Sequence, residues 1–229
     1  MADFARENFV QFVVTTHSPY VLDELPPEAR VHVLPTNEGR IVMSGVSPEF
    51  ALSKMDDERH PELDIYVEDE RAKILVEEVI QKHLRDYLLR VDTLPYGAAS
   101  VGKALGQMKA QNRFKRKTLV VLDADQDTAP GCILLPGDDA PERVIFKTLS
   151  DNRWEGVATR IDRSHSDLVD LATAAMTLPD HHDWIRHVAD GIVIGGNELW
   201  RAMVKAYLAR EPEASFRVLL DAIQAEFGG

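Results

Sequence analysis

Two short apolar runs in this chain end abruptly in carboxylates. Ile65-Tyr66-Val67 runs into Glu68-Asp69-Glu70, and Leu119-Val120-Val121-Leu122 runs into Asp123-Ala124-Asp125. A β-branched, apolar run bounded by polar residues reads as a buried strand. The carboxyl ends of parallel strands form the rim where α/β sheets place their sites. Glu68, Asp69, Asp123 and Asp125 gathered on one rim would repel one another unless some stayed protonated or a cation sat between them. Ligands that are all oxygen select a hard divalent ion, Mg2+ or Mn2+. Such a cation could activate a bound water and stabilise developing negative charge.

The elements that would position these carboxylates follow from the hydrophobic pattern. A strand over Leu63–Val67 delivers Glu68. A helix is expected over 70–88, because Leu75, Val76, Val79, Ile80 and Leu84 recur at spacings of three and four. Glu70 falls in its first turn, where the helix dipole favours acids. A second strand is expected over 90–94, then a small-residue turn over 96–102 opening a helix that runs to about residue 113. The third strand, Lys117–Leu122, delivers Asp123; a fourth is expected over 132–135. Alternating strands and helices read as an α/β fold with a parallel sheet flanked by helices. Asp127 falls outside the proposed site. Beyond 150 the pattern is helical, with candidates over 166–176, 183–190, 198–210 and 214–227; Glu211-Pro212 ends the third of these.

Ahead of this unit, residues 9–14 read as a buried strand stopped by Thr15-Thr16-His17-Ser18-Pro19, with Pro19 suited to the first turn of a helix. Residues 31–34 and 40–43 flank Asn37-Glu38-Gly39 as a hairpin. The charged, turn-rich stretch from Ser53 to Pro61 marks a boundary. The expected organisation is therefore 1–60, 61–150 and 151–229.

Composition narrows the function classes. The chain has 229 residues, 45% hydrophobic, and a net charge of −12. That charge counts against a broad nucleic-acid-coating surface, but not against a nuclease, whose carboxylates stay negative until metal binds. The basic residues Lys109, Arg113, Lys115, Arg116 and Lys117 cluster locally; a solvated helix end is the plain reading and phosphate contact the sharper one. No run approaches a membrane span, and the start lacks the pattern of a signal peptide. The single cysteine, Cys132, excludes an internal disulfide and a cysteine-rich zinc site, so a cytoplasmic location is expected. Cys132 reads as a small buried residue, and Trp154, Trp184 and Trp200 as core anchors. His181-His182-Asp183 with His187 offers a zinc pattern, but a helix start is the simpler reading.

Two resemblances add to this. Thr15-Thr16-His17-Ser18-Pro19 resembles the switch-histidine segment of ABC-type ATPases, where the histidine lies near the γ-phosphate. The chain has no Gly-x-x-x-x-Gly-Lys-[Ser/Thr], so ATP binding would belong to a preceding ATPase half. The pattern of 61–150 resembles a Toprim domain, with Glu68 as the glutamate ending the first strand and Asp123-Ala124-Asp125 as the Asp-x-Asp ending the third. The family's usual glycine after the glutamate is Asp69 here. Together with the order of segments, Glu68-Asp69-Glu70-Arg71-Ala72-Lys73 resembles the class 2 form of the overcoming-lysogenization-defect (OLD) nucleases, which join an ABC ATPase to a Toprim domain. The resemblance implies the tail of an ATPase domain over 1–60, a Toprim domain over 61–150 and appended helices over 151–229. It implies DNA as substrate, a homodimer of the full-length protein, and two ions of Mg2+ or Mn2+.

The resemblance further implies an acidic ligand beyond the Asp-x-Asp, for which Glu142 is the candidate and Asp138 the outside one. Asp139 and Glu142 also have capping-box spacing with Pro141 at a helix start, which is the structural alternative. A functional lysine is implied near the C-terminal end, and Lys205 is the best match beside its plain reading as an exposed helix lysine. The metal set is thus Glu68, Asp69, Asp123, Asp125 and Glu142, with Glu68, Asp123, Asp125 and Lys205 catalytic. Rival readings are a Toprim module of topoisomerase or primase type, and a non-catalytic regulatory or dimerisation module of an ATPase complex.

Overall fold

The apolar runs that end in carboxylates are neighbouring strands of one parallel sheet. The computed structural model describes residues 2–36, 39–52 and 61–228, which fall into two units, Met1–His60 and Pro61–Gly229. Asn37 and Glu38 of the expected hairpin turn, and most of the charged stretch from Ser53, lie outside the described residues.

In the first unit, helix α1 (Ala2–Asn8) is followed by a stretch without helix or strand, then α2 (Pro19–Asp23), strands β1 (Val31–Thr36) and β2 (Gly39–Ser44), and α3 (Pro48–Leu52). The two strands pair antiparallel, Val31 opposite Ser44, as the hairpin pattern predicts. Leu34, Met43, Val46 and Phe50 form its small core. Arg30 ties the unit together, its Nε donating to the Leu25 carbonyl at 2.9 Å. Pro19 does open α2.

The buried strand expected over 9–14 is not formed. Residues 10–18 have neither helix nor strand, and Phe9 and Val13 are exposed. The apolar pattern is genuine, but a strand needs a neighbour to satisfy its backbone, and the only sheet described in this unit is the hairpin.

The second unit contains β3 (Leu63–Val67), α4 (Glu70–His83), β4 (Val91–Pro95), α5 (Ala99–Ala110), β5 (Lys117–Leu122) and β6 (Cys132–Leu134). The helices α6 (Pro141–Asp151), α7 (Val157–Ile161), α8 (His165–Ala175), α9 (Trp184–Ile192), α10 (Gly196–Arg210) and α11 (Arg217–Phe227) follow. The four-stranded sheet has the order β4-β3-β5-β6, and every pair in it is parallel. Helices flank it: α4 lies against β3 and β4, and α5 and α11 against β5 and β6. The helix expected over 70–88 stops at His83; Leu84 breaks the helical dihedrals, and Arg85–Tyr87 makes one 3-10 turn. Leu84 and Leu88 still face the core, so the apolar spacing outlasts the helix.

One core runs across residue 150, where the sequence pattern places a second boundary. Ile65 and Leu119 from the sheet and Val76 from α4 share it with Trp154, Trp200 and Phe216. Helix α10 packs directly on α4, and Trp200 donates its indole N–H to the Arg71 carbonyl at 3.0 Å. Trp154 and Trp200 are fully buried; Trp184 is half-buried against Phe146, and Cys132 is half-buried as well. No helix among the described residues is long and apolar enough to cross a membrane.

A carboxylate cluster at the ends of adjacent strands

The order of the sheet explains where the carboxylates meet. From β3 the chain crosses to β4 on one side, then returns past β3 to β5 on the other. The crevice beyond the carboxyl ends of β3 and β5 is therefore the point where the winding reverses, the usual ligand position of an open α/β sheet. Tyr66 stands opposite Val120, so Glu68 and Asp123 leave their strands side by side.

The backbone around Glu68 is held by its neighbours. Tyr96 N–H donates to the Val67 carbonyl and Gly97 N–H to the Glu68 carbonyl, both at 2.8 Å. Gly97 needs its φ of +96° to make that turn. Asp69 is the N-cap of α4, its Oδ1 accepting from Arg71 N–H at 2.9 Å and Ala72 N–H at 2.8 Å. This satisfies two of the helix's free N–H groups and leaves Asp69 one oxygen for a ligand.

The carboxylates act on one another through space. Burial pushes the Glu68 carboxyl above its usual range, with Asp125 and Asp69 adding repulsion. Burial also pushes Asp123 up to about 8, with further repulsion from Glu68, Asp69, Glu142 and Asp125. Glu68 Oε2 and Asp123 Oδ1 are buried without any hydrogen-bond partner. A buried carboxylate oxygen with no donor is costly, and two of them on neighbouring strands are ligands of the kind a hard divalent cation takes; among the described residues, the group of three whose ligand atoms lie within 4.8 Å of one another is Glu142, His181 and His182. Tyr96, whose hydroxyl donates to the Val121 carbonyl at 3.1 Å, is raised by burial and then by Glu68 and Asp123. Asp125 is exposed at the mouth.

Glu142 joins the cluster from α6. The capping box with Asp139 does not form: the N-cap is Ala140, which makes no side-chain cap, and Asp139 instead accepts from the neighbouring Ala140 N–H and pairs with Arg143 at 3.6 Å. Glu142 is 2% exposed. Its Oε1 lies 2.5 Å from Arg71 Nη1 and 3.4 Å from His182 Nδ1. Arg71 Nη2 also donates to the His182 carbonyl at 2.8 Å, tying the starts of α4 and α6 to the 3-10 turn His181–Asp183. Asp127 and Asp138 are exposed, and Glu70 lies in the first turn of α4.

Lys205, the expected cationic member of the site, is not brought to the cluster. Lys205 Nζ lies 3.8 Å from Glu78 Oε1, and Glu78 is about two and a half turns along α4 from Asp69. The basic run from Lys109 lies at the start of β5, about 17 Å from its carboxyl end. There Lys109 pairs with Glu226 and Arg116 with Asp64. In the first unit, Thr15, Thr16 and His17 line a cavity of about 250 Å3 with His32 and Val46.

Arg71, His181, His182 and Tyr96 are the neighbours that sequence reasoning missed as parts of the site. Arg71 had a readable signal: it lies three residues after Glu68, on the first turn of the helix that the glutamate precedes. The approach of His182 to Glu142 is a tertiary contact with no local signature. No family model, no curated protein and no solved structure matches this chain.

Proposed function

We propose that the chain is a divalent-metal-dependent DNA nuclease of Toprim type, the C-terminal part of an OLD-type protein whose ATPase half binds ATP. The observation that carries this reading is the pair of buried, unpartnered oxygens, Glu68 Oε2 and Asp123 Oδ1, at the point where the sheet's winding reverses. Glu68 and Asp123 would hold Mg2+ or Mn2+, with Asp125 at the exposed mouth and the remaining oxygen of Asp69 as further ligands. Glu142 closes the rim. A cation bound there supplies an activated water and charge stabilisation for a phosphodiester. Asp69 fixes the first turn of α4 and so the direction of Glu68. Arg71 adds a fixed positive charge beside the rim and neutralises Glu142. Lys205 has no part in this version of the site.

The test is cleavage of supercoiled plasmid by the purified chain with Mg2+, Mn2+ or EDTA, beside Asp123→Ala. Nicking that requires metal and is lost in the variant is the expected result. Cleavage that persists in EDTA or in the variant would place the activity elsewhere.

A further inference from the structure

Beside the all-oxygen pair stands a group of different chemistry. Glu142, His181 and His182 each present one ligand atom, and these atoms lie within 4.8 Å of one another. Glu142 is buried at the start of α6, while His181 is half-buried and His182 is exposed at the mouth. The two imidazoles lie against each other with ring centroids 4.1 Å apart. His182 Nδ1 and Glu142 Oε1 are 3.4 Å apart, about the spacing of two ligands across a tetrahedral ion with bonds of about 2.1 Å. Arg71 already engages Glu142 Oε1, but a carboxylate has about four acceptor positions, so that pair leaves room for a second contact.

Nothing in the proposed cleavage reaction requires imidazoles. Mg2+ keeps oxygen ligands, whereas imidazole suits Zn2+, Co2+ and Ni2+, and affinity rises from Mn2+ through Co2+. We infer that Glu142, His181 and His182 form a second cation position that takes a transition metal, Zn2+ or Co2+, in preference to Mg2+. The site as a whole is then mixed: an oxygen-only position on Glu68 and Asp123, and a nitrogen-containing position beside it. This extends the nuclease reading and rests on it for its use in catalysis, but metal binding itself is measured without substrate.

Backbone contacts hold the group in place. Asp180 caps the turn that carries the two histidines, its Oδ1 accepting from His182 N–H at 2.9 Å, and Arg71 clamps the His182 carbonyl. His187, the other histidine of the sequence pattern, is exposed on α9 and is not a member of the group.

The experiment is a titration of the metal-free protein with Co2+, read by its visible ligand-field absorption, which distinguishes nitrogen-containing from all-oxygen coordination. The expected result is a nitrogen-type band that Zn2+ abolishes by displacement and that excess Mg2+ leaves in place. His181→Ala and His182→Gln are expected to weaken Co2+ binding by at least about tenfold, while His187→Ala and Asp123→Asn keep the band. A spectrum of oxygen-only type in the wild-type protein, or displacement by Mg2+ as readily as by Zn2+, overturns the proposal without reference to any variant. So does a band unchanged in both His181→Ala and His182→Gln. Failure of plasmid cleavage leaves all of these readings intact and bears on the nuclease proposal alone.

Discussion

Replacing Asp123 with asparagine is predicted to stabilise the metal-free fold. The Asp123 carboxyl is raised from an ordinary 3.8 to about 8, so in the fold it holds a proton that the unfolded chain has already lost. An acid whose pKa is raised in the folded state contributes most below its unfolded value, and that contribution disappears as pH rises through the folded value. At pH 7 about three pKa units of this penalty are realised, at about 1.4 kcal/mol each, which sets a ceiling of about 4 kcal/mol. The exposed mouth beside Asp125 admits water, and screening there reduces the expected effect to about 2–4 kcal/mol. Asparagine removes the ionisation and offers an N–H to the unpartnered Glu68 oxygen. For a unit of this size the melting temperature should rise by about 5–10 °C in EDTA at pH 7. The difference between variant and wild type should widen from pH 5 to pH 8.5. The assay is thermal unfolding followed by circular dichroism across that range, with and without Mn2+. Added Mn2+ should stabilise the wild type and close the gap. A variant that melts at or below the wild type in EDTA at pH 7, or a difference that does not change with pH, would refute the reasoning.

Two further substitutions test the surroundings. Arg71→Gln leaves Glu142 buried without its cation and should destabilise the second unit by about 3 kcal/mol, seen as a lower urea midpoint with an unchanged slope. Lys205→Ala removes an exposed partner of Glu78 and should change stability by less than about 1 kcal/mol. It should also leave Mn2+ affinity and plasmid cleavage as in the wild type; a loss of cleavage with intact metal binding would return Lys205 to the catalytic machinery.

The central strands were legible because β3 and β5 are short runs dominated by apolar residues. Lys117–Leu122 begins at a charged residue and is followed at once by Asp123, so both bounds are written in the chain. The same rule misread residues 9–14, whose pattern is equally apolar, because a strand's existence depends on a neighbour that local pattern does not reveal. The carboxylates of β3 and β5 were legible as strand ends, but the strand order that makes them adjacent is a tertiary fact, since two parallel crossovers suit the order β3-β4-β5 equally well. Glu142 was visible only as one of two alternatives. Its pairing with Arg71 and His182 joins three distant segments, and no spacing encodes it. Lys205 is the last lysine of the chain, but α10 runs along α4 with Trp200 beside Arg71 and Leu208 beside Lys82. That direction carries Lys205 away from the carboxylates toward Glu78.

The central claim is that Glu68 and Asp123 together hold a divalent cation. Its most direct test is calorimetric titration of the metal-free protein with Mn2+ at pH 7, in two buffers of different ionisation enthalpy. The account predicts saturable binding accompanied by proton release, because Asp123 must give up its proton to become a ligand. The proton release should be lost in Asp123→Asn, and Mn2+ affinity should fall in both Asp123→Asn and Glu68→Gln. A folded wild-type protein that takes up no Mn2+, or that binds it equally well in both variants, would contradict it.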